Sequence, residues 1–132
     1  MQNIYGRTAI SATKYCREEA LHPGEAWKKA VSEFTKNESS QKKGCPRCAF
    51  LGLCEDGAVS GIPAAHYCNS EKNKKYALNA LSLLKQNPSL SDDKKTLWQA
   101  VMKAVGESEG KAENGQLDVV LSLWRENLIG TK

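Results

Sequence analysis

Five cysteines and two histidines hold most of the reactive chemistry this sequence offers. Four thiols, Cys45, Cys48, Cys54 and Cys68, fall within 24 residues, with His66 among them, while Cys16 stands apart. As a metal centre, Cys45-Pro46-Arg47-Cys48 would give one thiolate pair, since CxxC lets two sulfurs reach one tetrahedral ion from a tight turn. His66 and Cys68 would complete the set, but one residue separates them where two to four are usual. As a nucleophile, Cys45 or Cys54 would need a base, and His66 is the candidate. A dithiol redox role for CPRC needs a βαβ setting, which the pattern lacks. The plainest reading is that the thiols are small apolar side chains. No metal and no cofactor is expected.

A second group is cationic. Lys42, Lys43, Gly44 and Arg47 lie together at the start of a helix that carries Pro46 at its first position. Helix starts present backbone N–H groups without intrahelical partners, and these attract anions. Gly44 leaves room for a ligand close to the backbone, and the three cations surround the same point. The expected ligand is a phosphate, foremost of a nucleic-acid backbone, or a carboxylate on an acidic protein partner.

The elements that must position these residues read as helices throughout. Tyr5, Ala9, Ala12 and Cys16 form one stripe between Asn3 and Ala20; Ala26, Trp27, Ala30, Val31 and Phe34 form the next, after Pro23. Residues 36–44 are polar and lack a repeat, so they are expected to be loop. The Pro46 helix turns Ala49, Phe50 and Leu53 inward and ends at Gly57. The stretch 58–68 reads as irregular. Ser70 caps a helix buried through Tyr76, Ala77, Ala80, Leu81 and Leu84, and Ser91-Asp92-Asp93 starts another with Leu97, Trp98, Val101 and Met102 inward. Asn114 is expected to cap a last helix carrying Leu117, Val120, Leu121 and Trp124. The expectation is an all-α fold, a single compact domain of about six helices over residues 1–132, with Trp27, Trp98 and Trp124 buried.

Composition sets the outer bounds. A chain of 132 residues, 40% hydrophobic and 26% charged, can build a core without disulfides or metal. Its net charge of +4 is spread over both halves, which is milder than a dedicated DNA-binding domain usually shows. No apolar run approaches the ~20 residues of a membrane span. The first residues lack a signal-peptide pattern, so a cytoplasmic protein is expected, without membrane association and as a monomer or weak dimer. Phosphate-loop, dinucleotide, nucleophile-elbow and zinc-protease motifs are absent.

The stretch Ser39-Ser40-Gln41-Lys42-Lys43-Gly44-Cys45-Pro46-Arg47-Cys48, continuing Ala49-Phe50-Leu51-Gly52-Leu53-Cys54-Glu55 to Gly57, resembles the signature of a family of small bacterial proteins of unknown function. The resemblance extends to Tyr5-Gly6, Ala26-Trp27, Asn73-Lys74-Lys75-Tyr76-Ala77, Leu97-Trp98, and Asn114-Gly115-Gln116-Leu117-Asp118-Val119-Val120 with Leu123-Trp124. It reads KGCPxxAFLGLCExG and NGQxDVV, covers nearly the whole chain and implies one intact domain without an assigned activity. Ser40, Lys43, Arg47, Asn114, Gln116 and Asp118 belong to these stretches and sit at two helix starts. They either cap and cross-link, with Arg47 paired to an acid, or line a groove where the two starts converge on a ligand.

Three functions follow as alternatives. The first is a non-catalytic binding module for nucleic acid or an acidic protein. The second is a cysteine-thiolate enzyme, or a small metal-binding protein using Cys45, Cys48, Cys54 and Cys68. The third is a small inhibitor or adaptor acting by steric occlusion. Of these, the binding module is expected.

Overall fold

Small residues on one face of the first helix decide how closely its neighbours approach. α1 (Ile4–Glu19) buries Tyr5, Gly6, Thr8, Ala9, Ala12 and Thr13, and packs on α2 (Pro23–Phe34) and on α7 (Gln116–Arg125). At Gly6 a Cβ would stand 2.0 Å from Ser122 Oγ, so α1 and α7 meet there only because the side chain is missing. The structure, a computed structural model, describes residues 3–108 and 110–130.

Between α2 and the centre lie α3 (Glu38–Lys42), a single short turn, and α4 (Gly44–Glu55). From Ala49 to Cys54 every residue of α4 is buried, as in a helix enclosed on all sides. α7 is nearly as enclosed. α5 (Glu71–Gln86) packs on α4, α7 and α6 (Lys94–Val105), and a 3-10 turn over Pro88–Asp92 joins it to α6. At Gly52 a Cβ would lie 2.8 Å from Lys74 Cα, which fixes the close crossing of α4 and α5. One buried cluster links α1, α2, α4, α5, α6 and α7, with Trp27 tilted on Phe50 and Tyr76 edge-on to Trp98. The fold is all-α. Six helices have ten or more residues, and the only β-type contact among the described residues is the isolated bridge Val59–Ile129.

Three local expectations need correction. Residues 36–44 are not all loop, because Asn37 Oδ1 accepts the Ser40 N–H at 2.8 Å and nucleates α3. Pro46 is the third residue of α4, which begins at Gly44. Trp124 is half-buried, although Trp27 and Trp98 are buried as expected. Its ring lies over Gly130, at the edge of the core. Gly57 does end α4, with φ of 75°, and Ser70 does cap α5 through the Asn73 N–H. Among the described residues no helix is long and apolar enough to cross a membrane.

Candidate functional site

The cysteine segment folds around a carboxylate instead of an ion. Glu55, at the end of α4, accepts the backbone N–H groups of Tyr67 (2.8 Å) and Cys68 (3.0 Å) on Oε1 and the Lys74 ammonium (2.6 Å) on Oε2. The Lys74 hydrogen bond first, then the two backbone donors, pull its pKa down to about 2. The same carboxylate takes His66 Nδ1 at 3.1 Å, while His66 Nε2 lies 3.3 Å from Asn69 Oδ1. His66 is therefore drawn to Glu55, and Cys45, Cys48, His66 and Cys68 do not form one ligand set. Among the described residues, no three His, Cys, Asp or Glu side chains converge as a metal ion would require.

The thiols are free and mostly enclosed. Cys54 is fully buried, which pushes its pKa well above the usual thiol range. Burial, then a hydrogen bond with Cys68, raises the Cys48 pKa to about 11, and burial does the same for Cys16. Cys68 is committed to the loop, its sulfur accepting the Ser70 N–H at 3.2 Å. The geometry leaves Cys54 without exposure.

The cationic group lies at the α3–α4 corner, where Lys43 is the only residue between the helices and has extended backbone (φ −60°, ψ 119°). That corner divides the group. Lys42 and Arg47 line a cleft against α2, whereas Lys43 Nζ turns to the Tyr5 ring, 5.5 Å from its centroid. Lys42 is held by Glu38 at 2.6 Å in an exposed pair, which is worth little. Arg47 is exposed and pairs with no acid among the described residues, contrary to the expected ion pair. A Cβ at Gly44 would meet nothing within 4 Å, so the backbone there is open.

The start of α4 differs from the other long helices. Asn3, His22, Ser70 and Asp93 cap α1, α2, α5 and α6 through side-chain acceptors. Glu113, and not Asn114, caps α7: its Oε2 accepts the N–H groups of Gly115 (2.8 Å) and Leu117 (2.9 Å). Asn114 is displaced because Gly115, at φ 100°, takes the N-cap position itself. Among the described residues, no side chain caps α4.

The starts of α4 and α7 do converge. A Cβ on Gly115 would stand 3.2 Å from Pro46 Cβ and 3.3 Å from Tyr5 Cδ2, so Tyr5 and Pro46 fill the space between them. Tyr5 also donates its hydroxyl to the Ser40 carbonyl at 3.1 Å. Gln116, 1% exposed, donates to Asn73 Oδ1 at 2.9 Å and accepts the Asn114 N–H at 2.7 Å, bringing the first turn of α5 to the same place. Asp118 faces away and holds Lys94 at 2.8 Å. Ser40, Gln116 and Asp118 are thus tied into the fold, and Asn114 stays exposed beside them. Sequence reasoning missed Tyr5, Asn73 and Glu113 in this junction. Only the Tyr5-Gly6 and Asn73-Lys74 pairs within the resemblance pointed toward it, and Glu113 lacked any signal.

The model of a protein family described as a family of unknown function (DUF6979) matches residues 1–130. No curated protein and no solved structure matches the chain.

Proposed function

We propose that this chain, which belongs to the DUF6979 family of unknown function, is a non-catalytic binding module that takes an anionic partner at the α3–α4 corner. One observation carries the reading: α4 is the one long helix among the described residues whose first turn no side chain caps, and it is the one flanked by Lys42, Lys43 and Arg47. Uncapped N–H groups and the positive helix end favour an anion there. Open backbone at Gly44 lets such a group approach. The partner is a nucleic-acid phosphate backbone or, next, an acidic protein surface. Five free thiols suit a reducing cytoplasm, where such a module would act as a monomer.

The test is fluorescence anisotropy at low salt with labelled single- and double-stranded oligonucleotides of mixed sequence and with an acidic peptide. Binding that is lost in the Lys43→Ala/Arg47→Ala variant supports the reading. Absence of binding to all three probes, or equal binding by the variant, overturns it.

A further inference from the structure

Phe34 ends α2 away from the core. Its spacing sets it on the apolar stripe with Trp27, Ala30 and Val31, yet those three are buried and Phe34 is only half-buried. Among the described residues it belongs neither to the buried cluster nor to the half-buried hydrophobics packed against that cluster. The Arg7 guanidinium stands 6.0 Å from its ring centroid, at the outer reach of a cation–π contact. A large aromatic ring left off the core of a small domain marks a surface with apolar area still to bury.

The facing wall comes from α1. Arg7, Ile10 and Lys14 follow one another at spacings of three and four, which sets them on one face of the helix, apart from the buried Ala9 and Ala12. With Ser11 and Phe34 they line a hollow of about 370 Å³. Ile10 and Phe34 make part of that lining apolar. Arg7 and Lys14 are exposed and form no ion pair among the described residues. No acid lines the hollow. Glu33, beside Phe34 in the chain, is already held by the Ser11 hydroxyl at 2.8 Å and by the Tyr15 hydroxyl. The hollow therefore joins an apolar seat to two uncompensated positive charges.

We propose that this hollow docks a short acidic segment of a partner protein. One bulky apolar side chain of the segment enters between Ile10 and Phe34, and its flanking carboxylates meet Arg7 and Lys14. The proposal is independent of the α3–α4 corner. Charge complementarity selects an acidic segment, and the Arg7 guanidinium offers a carboxylate a two-pronged contact. The apolar lining demands an anchor, since a buried aromatic or aliphatic side chain carries most of the affinity of a small interface while rim charges choose the partner. The volume lies at the small end of ligand sites, room for a side chain and not for a folded domain. A nucleic acid fits less well. The adjoining hollow along α1 shares Ile10 and Lys14 but is also lined by Glu18 and Glu126, so a phosphate chain running that way would meet carboxylates. A short segment stops before them.

The experiment is an amide NMR titration of the full chain with an acidic peptide that carries one central tryptophan among aspartates and glutamates. The controls are the same peptide with alanine at its centre and one with lysine in place of every acid. Saturable shifts centred on Arg7, Ile10, Ser11 and Phe34 are expected with the first peptide alone. Affinity should fall about tenfold in Phe34→Ala and by a smaller factor in Arg7→Gln and in Lys14→Gln, and stay unchanged in Lys43→Ala/Arg47→Ala. Because Phe34 lies off the core, Phe34→Ala should melt close to the wild type, so binding lost there is not folding lost. A silent hollow, equal binding of a control peptide, or a marked fall in the Tm of Phe34→Ala overturns the proposal. So does an oligonucleotide that displaces the peptide from the hollow. The two readings separate cleanly: peptide shifts here with a silent α3–α4 corner sink only the corner, and binding at the corner with a silent hollow sinks only this one.

Discussion

Replacing Gln116 with leucine removes the polar junction of three helix starts while nearly keeping its volume. The amide donates to Asn73 Oδ1 and accepts the Asn114 N–H, so two bonds vanish at once. Asn114 is exposed, and its N–H finds water at little cost. Asn73 is worse placed: its Nδ2 is fixed on Ser70 Oγ at 3.0 Å, which leaves Oδ1 facing the new leucine. An orphaned acceptor in partial burial costs about 1–3 kcal/mol, and the second lost bond adds about 0.5–1.5. Added apolar burial offsets about 1 kcal/mol. The expected loss is therefore about 2 kcal/mol, or roughly 5–10 °C in Tm for a chain of this size. Urea unfolding followed by far-UV circular dichroism measures it. A cycle with Asn73→Leu should be non-additive by more than about 0.5 kcal/mol. A loss in Gln116→Leu below about 0.5 kcal/mol, or an additive cycle, would refute the claim that this amide joins α5 to α7.

Two further outcomes are expected. Because Glu55 has its pKa lowered from 4.5 to about 2, its contribution to stability is fully present above pH 4.5 and is lost as pH falls from there toward 2. Acid unfolding curves of Glu55→Gln should lack that component, and curves parallel to the wild type across this window would contradict the staple. With raised pKa values, Cys16 and Cys48 should resist alkylation near neutrality and react only as pH nears 11, as read by mass-mapped iodoacetamide labelling. Rapid labelling of Cys48 at pH 7 would restore the thiolate-enzyme reading.

Helical periodicity exposed most of the fold because α1, α2, α5, α6 and α7 each turn an apolar stripe inward that a single sequence displays. α3 escaped since it has five residues, no buried side chain and only Asn37 to start it. At Trp124 the stripe put the ring inside, yet the last turn of α7 lies at the core's edge, which sequence spacing does not encode. The cationic cluster was legible as composition. Its division was not, because one extended residue, Lys43, reverses the facing of its neighbours. Nor could sequence tell that Glu55 would compete for His66, since ten residues of chain, 56–65, separate the two and its path depends on backbone donors.

The central claim, anion binding at the α3–α4 corner, is met most directly by the salt dependence of oligonucleotide affinity. Each cation that contacts a phosphate contributes about one unit to the slope of log K against log salt. The wild type should therefore lose affinity steeply as salt rises, and Lys43→Ala/Arg47→Ala should show a slope shallower by about two units. Identical slopes for the two proteins, or no measurable affinity for oligonucleotide and acidic peptide alike at the lowest salt, would contradict the account.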